Sequence, residues 1–252
     1  MKMNVLMLIL AVFATTNVLS QQPNTTRWVI NKHKDSDTTT VKVNSTYFLL
    51  GTLNDYAGRN WGLKENLFDR YYPYEKPLMG FVDSFVKKDF KINLVEKDGC
   101  YFSNELYKKM NSFYKGNRIV DTLLFDNSQN KLSFLLGAYY RYGSKIGNGI
   151  YKIQLANSPK HNECYAILKQ LNCKNIYFKR LDNIPTIYIL YFEATGPILK
   201  YFDAIEPQKD KLFESFVESF RKSISVADFK ELYKENQKDE HRMIISLFKS
   251  HK

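Results

Sequence analysis

Phe48 to Arg59 reads FLLGTLNDYAGR, and Phe134 to Lys145 reads FLLGAYYRYGSK. The two segments lie 86 residues apart (134 minus 48), and the same shift continues to work downstream without a gap. Pro73 maps onto Pro159, each opening a predicted helix. Leu78, Phe81, Val82 and Phe85 map onto Cys164, Ile167, Leu168 and Leu171, and Phe90 and Ile92 onto Ile176 and Phe178. One spacing that aligns helix with helix and strand with strand marks an internal repeat. The expected fold is therefore α/β (α+β), two copies of one unit facing each other.

Local signals fill in each copy. Asn44 or Ser45 caps a first helix with Tyr47, Leu50, Leu53 and Tyr56 spaced for burial, and Gly58 ends it. Pro73 or Pro77 opens a helix through Lys88, and Phe90 to Leu94 alternates as a strand does. Asp98-Gly99 signals a hairpin turn, and Ser103 caps a helix to about Tyr114. In the second copy Asn127 or Ser128 starts the motif helix and Gly143 closes it. Strands follow over Ile150–Ala156, Asn175–Leu181 and Thr186–Glu193, with a helix over Pro159–Asn172 between the first two. Gly196-Pro197 begins another helix through Ile205, and beyond Pro207 three amphipathic helices are expected.

The first twenty residues have the order of a secretory signal: Lys2, an apolar run from Val5 to Phe13, then Val18-Leu19-Ser20 before the cut. That run is too short for the ~20 apolar residues of a spanning helix. The expected organisation is a signal peptide over 1–20, a flexible polar leader over 21–44, a first repeat over 45–118, a second over 119–205 and a helical extension over 206–252. The mature chain is placed in the periplasm or outside the cell, with no membrane span after cleavage.

With 44% hydrophobic residues the chain has ample material for a core. Its 37 basic residues exceed its 26 acidic ones, a net charge of +11 that favours a polyanionic partner, nucleic acid or acidic glycan. Cys100, Cys164 and Cys173 allow at most one internal disulfide, and Cys164 and Cys173 fall on opposite faces of their helix. The four histidines, His33, His161, His241 and His251, lack metal-ligand spacing, so neither a metal nor a cofactor is implied. Neither the Gly-x-Ser-x-Gly elbow of a serine hydrolase nor the Gly-x-x-x-x-Gly-Lys-Ser/Thr loop of a nucleotide hydrolase occurs.

The second copy reads helix, hairpin, helix, hairpin, helix, an αββαββα order, with a small residue at the same point of each motif helix. That order, duplicated in one chain, resembles the LAGLIDADG homing endonucleases over roughly residues 45–205. The resemblance implies two motif helices side by side at a pseudo-twofold axis, with Gly51 and Gly137 permitting close approach, and sheets forming a saddle over DNA. The family's metal-binding acid is the eighth motif residue. Counting from Leu49 and Leu135, that position holds Tyr56 in one copy and Tyr142 in the other. Tyrosine cannot replace a carboxylate toward magnesium. Asp55 stands one residue early and faces Arg141 at the equivalent position, so the resemblance implies the fold without its nuclease centre, and no catalytic residue is assigned.

Two sets of site residues follow. Alternation puts Ile176, Phe178, Ile187, Ile189 and Tyr191, with Tyr151, Ile153 and Leu155, on the face packed against helix 159–172. Lys152, Gln154, Tyr177, Lys179, Thr186 and Tyr188 then form the other face, the candidate binding surface. Gly51 and Gly137 mark the repeat interface, and one turn later Asp55 and Arg141 are expected to pair across the axis. The function favoured is an exported, non-catalytic binding protein for a polyanion; a protein-interaction module is the alternative, and a metal-dependent nuclease has least support. Fold alone does not choose among them.

Overall fold

The computed structural model describes residues 25–30, 39–59, 65–120 and 127–250; the expected signal peptide lies outside them. The described chain opens with strands β1 (Thr25–Ile30) and β2 (Thr39–Asn44), paired antiparallel. Over residues 25–30 and 39–44 this corrects the reading of a flexible leader; the rest of 21–44 lies outside the described residues. Thr-Val-Lys-Val alternates, and Val41 and Val43 enter the main core while Thr40 and Lys42 face out. Polar composition hid a two-residue period.

The first repeat comprises α1 (Ser45–Thr52), β3 (Leu67–Arg70), α2 (Lys76–Phe90), β4 (Val95–Lys97), β5 (Cys100–Phe102) and α3 (Asn104–Asn111). A small hairpin, β6 (Tyr114–Lys115) and β7 (Arg118–Ile119), closes it. The second comprises α4 (Ser128–Tyr142), β8 (Gly143–Gly147), β9 (Ile150–Ala156), α5 (Lys160–Gln170), β10 (Ile176–Leu181), β11 (Ile187–Glu193) and α6 (Gly196–Ser219). The 86-residue shift carries β3 onto the end of β9 and α2 onto α5. The sheets run β3-β5-β4 in the first copy and β10-β11-β9-β8 in the second, all antiparallel. Among the described residues the first copy has β3 alone where the second has the β8–β9 pair.

The motif helices form the centre. Phe48, Leu49 and Leu50 of α1 and Phe134, Leu135 and Leu136 of α4 are wholly buried, as expected of helices that are apolar on every side. Both start on asparagine caps: the Asn44 side chain accepts from the Thr46 and Tyr47 N–H groups, and that of Asn127 from the Gln129 N–H. A methyl group built on Gly51 would sit 2.2 Å from the Phe134 carbonyl oxygen, and one on Gly137 2.1 Å from that of Phe48. The helices therefore cross backbone to backbone at the two glycines.

The C-terminal part departs from expectation. Instead of three helices after Pro207 there are two, α6 running unbroken through Pro207 to Ser219, and α7 (Val226–Ser250). A proline inside a helix costs about 3 kcal/mol. Docking of the second half of α6 on the end of α4 offsets it: Leu212 is buried, Tyr139 donates to Glu206 at 2.5 Å, and Lys209 reaches the α4 carbonyls. No helix among the described residues is long and apolar enough to cross a membrane.

Candidate functional site

Helix α1 ends six residues before Gly58, earlier than the sequence suggests. Its last carbonyls are taken by side chains from the second repeat, which stops the helix propagating. Arg141 donates to the Thr52 carbonyl at 2.9 Å, and the Tyr142 hydroxyl to that of Leu53 at 2.8 Å. The Lys160 ammonium also donates to the Leu53 carbonyl. The end of α4 is treated alike: Lys209 donates to the carbonyls of Tyr139 at 3.0 Å, Tyr140 at 3.2 Å and Gly143 at 2.5 Å. Each repeat helix thus ends on a lysine ammonium, buried for Lys160 and half-buried for Lys209, the sign of charge that a helix C-terminus favours.

Asp55 and Arg141 are both buried at this place, but they do not pair with each other. Asp55 lies beyond the end of α1, so helical spacing no longer projects it toward the axis. Its carboxylate meets Lys160 at 3.1 Å and accepts from the hydroxyls of Ser158 at 2.6 Å and Tyr114 at 3.2 Å. Arg141, still in helix, spends all five of its N–H donors: two on Glu75, one on Asp69, and one each on the carbonyls of Thr52 and Arg70. The unlike charges expected across the axis are therefore present as two separate clusters, Asp55–Lys160 and Arg141–Asp69–Glu75.

Burial works against these cations. The Lys160 ammonium is pulled below the usual lysine range by desolvation, which Asp55 partly offsets. For Arg141 desolvation pulls the same way but Tyr142, Asp69 and Glu75 outweigh it, holding its pKa well above the ordinary arginine value. Lys209, enclosed by protein, falls to about 8. Nearby, burial pushes the Glu163 carboxyl up to about 7, and its Oε2 has no hydrogen-bond partner among the described residues. A carboxyl whose folded pKa exceeds its unfolded value favours folding most below the unfolded value and loses that contribution as pH rises through the folded one. Relative to Glu163→Gln, the native chain should therefore lose stability between about pH 4.5 and 7, read as the shift in urea midpoint at either end. An unchanged difference would place Glu163 in solvent.

Two cavities adjoin the clusters. One of about 280 Å³ is lined by Asp55, Glu75, Arg141, Tyr142, Gln154 and Ser158 among others. The second, about 450 Å³, is lined by Asn54, Tyr56, Arg70, Tyr71, Tyr72 and Pro185. Both share Asn54, Tyr56 and Tyr72. Both tyrosines at the eighth motif position line the smaller cavity; Tyr142 also closes the end of α1, and Tyr56 reaches the larger cavity as well.

The expected binding face is rearranged by the register of β11. Tyr151 lies opposite Phe192, Ile153 opposite Leu190 and Leu155 opposite Tyr188, so the even-numbered residues of β11 face the helices. Ile187, Ile189 and Tyr191 lie on the outer face with Lys152, Gln154, Tyr177 and Lys179. Tyr188 is on the helix side, its ring 3.7 Å from that of His161 and nearly parallel to it. Thr186 precedes the strand, and its carbonyl accepts from the Asn157 N–H. The outer face is covered by α7: Ile244 and Phe248 form a second apolar cluster with Ile146, Ile150, Ile189 and Tyr191. Glu240 of α7 pairs with the Lys152 ammonium at 2.8 Å and accepts from the Tyr191 hydroxyl. Among the six expected binding residues, Lys152 is therefore engaged within the chain, Gln154 lines the smaller cavity, and Lys179 has no ion-pair partner among the described residues.

Residues that the sequence reading did not single out hold this site together: Asp69, Glu75, Ser158, Lys160, Lys209 and Glu240. One signal was available for Lys160. It occupies the first turn of α5, where the helix dipole disfavours a cation, so an external partner is needed to explain it. All three cysteines are free; Cys164 and Cys173 are buried and Cys100 is half-buried. Among the described residues no group of three or more His, Cys, Asp or Glu side chains stands close enough to hold a metal ion.

No family model and no curated protein matches the chain. Among solved structures it is similar to I-DmoI in complex with DNA and Ca, at 18% identity over 62% of this chain and 85% of that one, with a TM-score of 0.38. Mesophilic variants of the homing endonuclease I-DmoI give 19% identity over 64% and 94%, TM-score 0.38. Full-length WhiA from Thermatoga maritima gives 17% identity over 76% and 66%, TM-score 0.38. In its paired glycine-bearing helices and the antiparallel sheets they carry, the chain is similar to the LAGLIDADG homing endonuclease fold.

Proposed function

We propose that this chain is an exported, non-catalytic protein that binds nucleic acid. The observation that supports the reading best is where charge is closed off and where it is not. At the ends of both repeat helices the chain's own lysines and arginine neutralise the carbonyls and carboxylates, so that Asp55, Asp69 and Glu75 already hold cations. A centre for metal-assisted hydrolysis needs carboxylates that are available to the ion. The chain meanwhile keeps an excess of eleven positive charges, which favours a polyanion. Export rests on Lys2, the apolar run from Val5 to Phe13 and Ser20; a secreted chain beginning at Gln21 by N-terminal sequencing would agree with it, and an intact Met1 would not.

Contacts to phosphates release counterions, so retention of labelled DNA and RNA should fall steeply between about 50 and 200 mM salt. The nucleic acid should stay intact with magnesium present. Lys179→Glu should weaken retention more than Lys152→Ala, because Lys152 is already spent on Glu240. Retention that ignores salt, or magnesium-dependent cleavage lost in Asp55→Asn, would overturn the reading.

A further inference from the structure

We propose that the 450 Å³ cavity between the repeats takes an unpaired nucleobase, and that the chain therefore prefers single-stranded nucleic acid over duplex. The inference rests on the nucleic-acid reading above and names the form of ligand. The cavity is of the size that buries a small planar ligand and combines aromatic walls with a few polar groups, the make-up of ligand sites in general. Tyr56, Tyr71 and Tyr72 line it from the first repeat, and Pro185 closes the wall from the β10–β11 loop of the second.

Tyr72 is the platform. It is 54% exposed and lines the cavity, so its ring can be reached from solvent. It is held in place from behind: its ring lies parallel to that of Tyr74, 5.7 Å away at 4°, and Tyr74 is braced edge-on by Phe216 of α6 at 5.2 Å. A ring fixed in this way loses little freedom when a base stacks on it. Asn54, whose amide both donates and accepts, brings hydrogen-bonding groups to the same space, which suits the edge of a base.

A duplex cannot use this site without extruding a base, because its bases are paired and stacked inside. Nor can it rest on the outer face of the second sheet, where α7 lies across Ile189 and Tyr191 and Glu240 occupies Lys152. A single strand needs neither: one base enters the cavity while its phosphates meet the basic surface, the combination by which sequence-tolerant single-strand binders work.

The test uses the full mature chain with fluorescently labelled oligonucleotides, single-stranded and duplex, of one sequence. The single strand should bind at least about tenfold more tightly, and Tyr72→Ala should weaken it by about five- to a hundredfold, as loss of one stacking ring does. Tyr72→Phe should bind as the native chain does, and duplex binding should not respond to either change. Because the Tyr72 ring is exposed, both variants should keep the native urea midpoint, so a loss of binding is not a loss of fold. Equal binding of both forms, or a Tyr72→Ala variant that binds the single strand unchanged, would overturn the base site while leaving the nucleic-acid reading standing. Absence of salt-sensitive binding to either form would overturn both.

Discussion

Arg141→Met is expected to destabilise the chain by about 3–5 kcal/mol, enough to leave it unfolded if its total stability lies at the low end of the usual 5–15 kcal/mol. The guanidinium is 1% exposed, and every N–H it carries has an acceptor. Removing it leaves two carboxylates, Asp69 and Glu75, buried without their counter-charge. The carbonyls of Thr52 and Arg70 lose their donor as well. Net, the intact cluster adds little, since desolvation of three ions offsets their attraction; the cost comes from breaking it on one side. The triple change Arg141→Met, Asp69→Asn, Glu75→Gln should therefore be less destabilising than Arg141→Met alone, a reversal of ordinary additivity visible in urea midpoints. A single variant that loses under about 1 kcal/mol would mean that Arg141 is solvated, as an exposed ion pair would be.

Gly51→Ala should be as damaging, for a different reason. In an ordinary helix this change is worth up to about 1 kcal/mol in favour of alanine. Here the added carbon would fall 2.2 Å from one backbone atom of α4 and 2.8 Å from another, and backbone cannot swing aside as a side chain can. The helices must move apart, opening contacts around Phe48 and Phe134 in the middle of the core. Gly137→Ala meets the mirror obstacle, at 2.1 Å from the Phe48 carbonyl oxygen. Gly80, exposed in α2 with nothing within 4 Å of its added carbon, is the control: Gly80→Ala should raise the melting temperature while the other two lower it. Three variants of one chemistry with opposite signs would separate helix propensity from the crossing.

What the sequence revealed was whatever repeats or alternates. The 86-residue shift located both motif helices and carried α2 onto α5, but the strand expected over 90–94 is absent: α2 runs on to Phe90, past the end of its counterpart, and the strand forms later, at Val95–Lys97. Asparagine caps marked where each helix begins, a local matter of one side chain and two N–H groups. The ends were less legible. Nothing local stops α1 at Thr52; Arg141, Tyr142 and Lys160 do so from 89 to 107 residues away. Strand β11 reads Ile-Tyr-Ile-Leu-Tyr-Phe, apolar on both faces, so alternation could not say which face meets the helices. Both are covered, one by the core and the other by α7, and pairing with β9 settled the register. Pro207 suggested a break that tertiary docking through Lys209 overrides. The pairing of Asp55 with Lys160 joins residues 105 apart and carries no local signature beyond a cation at the wrong end of a helix.

Helices α1 and α4 touch at Gly51 and Gly137, and the closed charge clusters and the smaller cavity lie at the end of that crossing pair. The α-carbon of Gly137 lies 3.0 Å from the point where a Gly51 side chain would begin, so the α-protons of the two glycines should be close neighbours. In a sample labelled only in its glycines, nuclear Overhauser spectroscopy should show a strong cross-peak between them, persisting at raised salt because the contact is not electrostatic. With both glycines assigned and no such cross-peak present, the helices would not be crossing there, and the LAGLIDADG-like arrangement would be wrong at its axis.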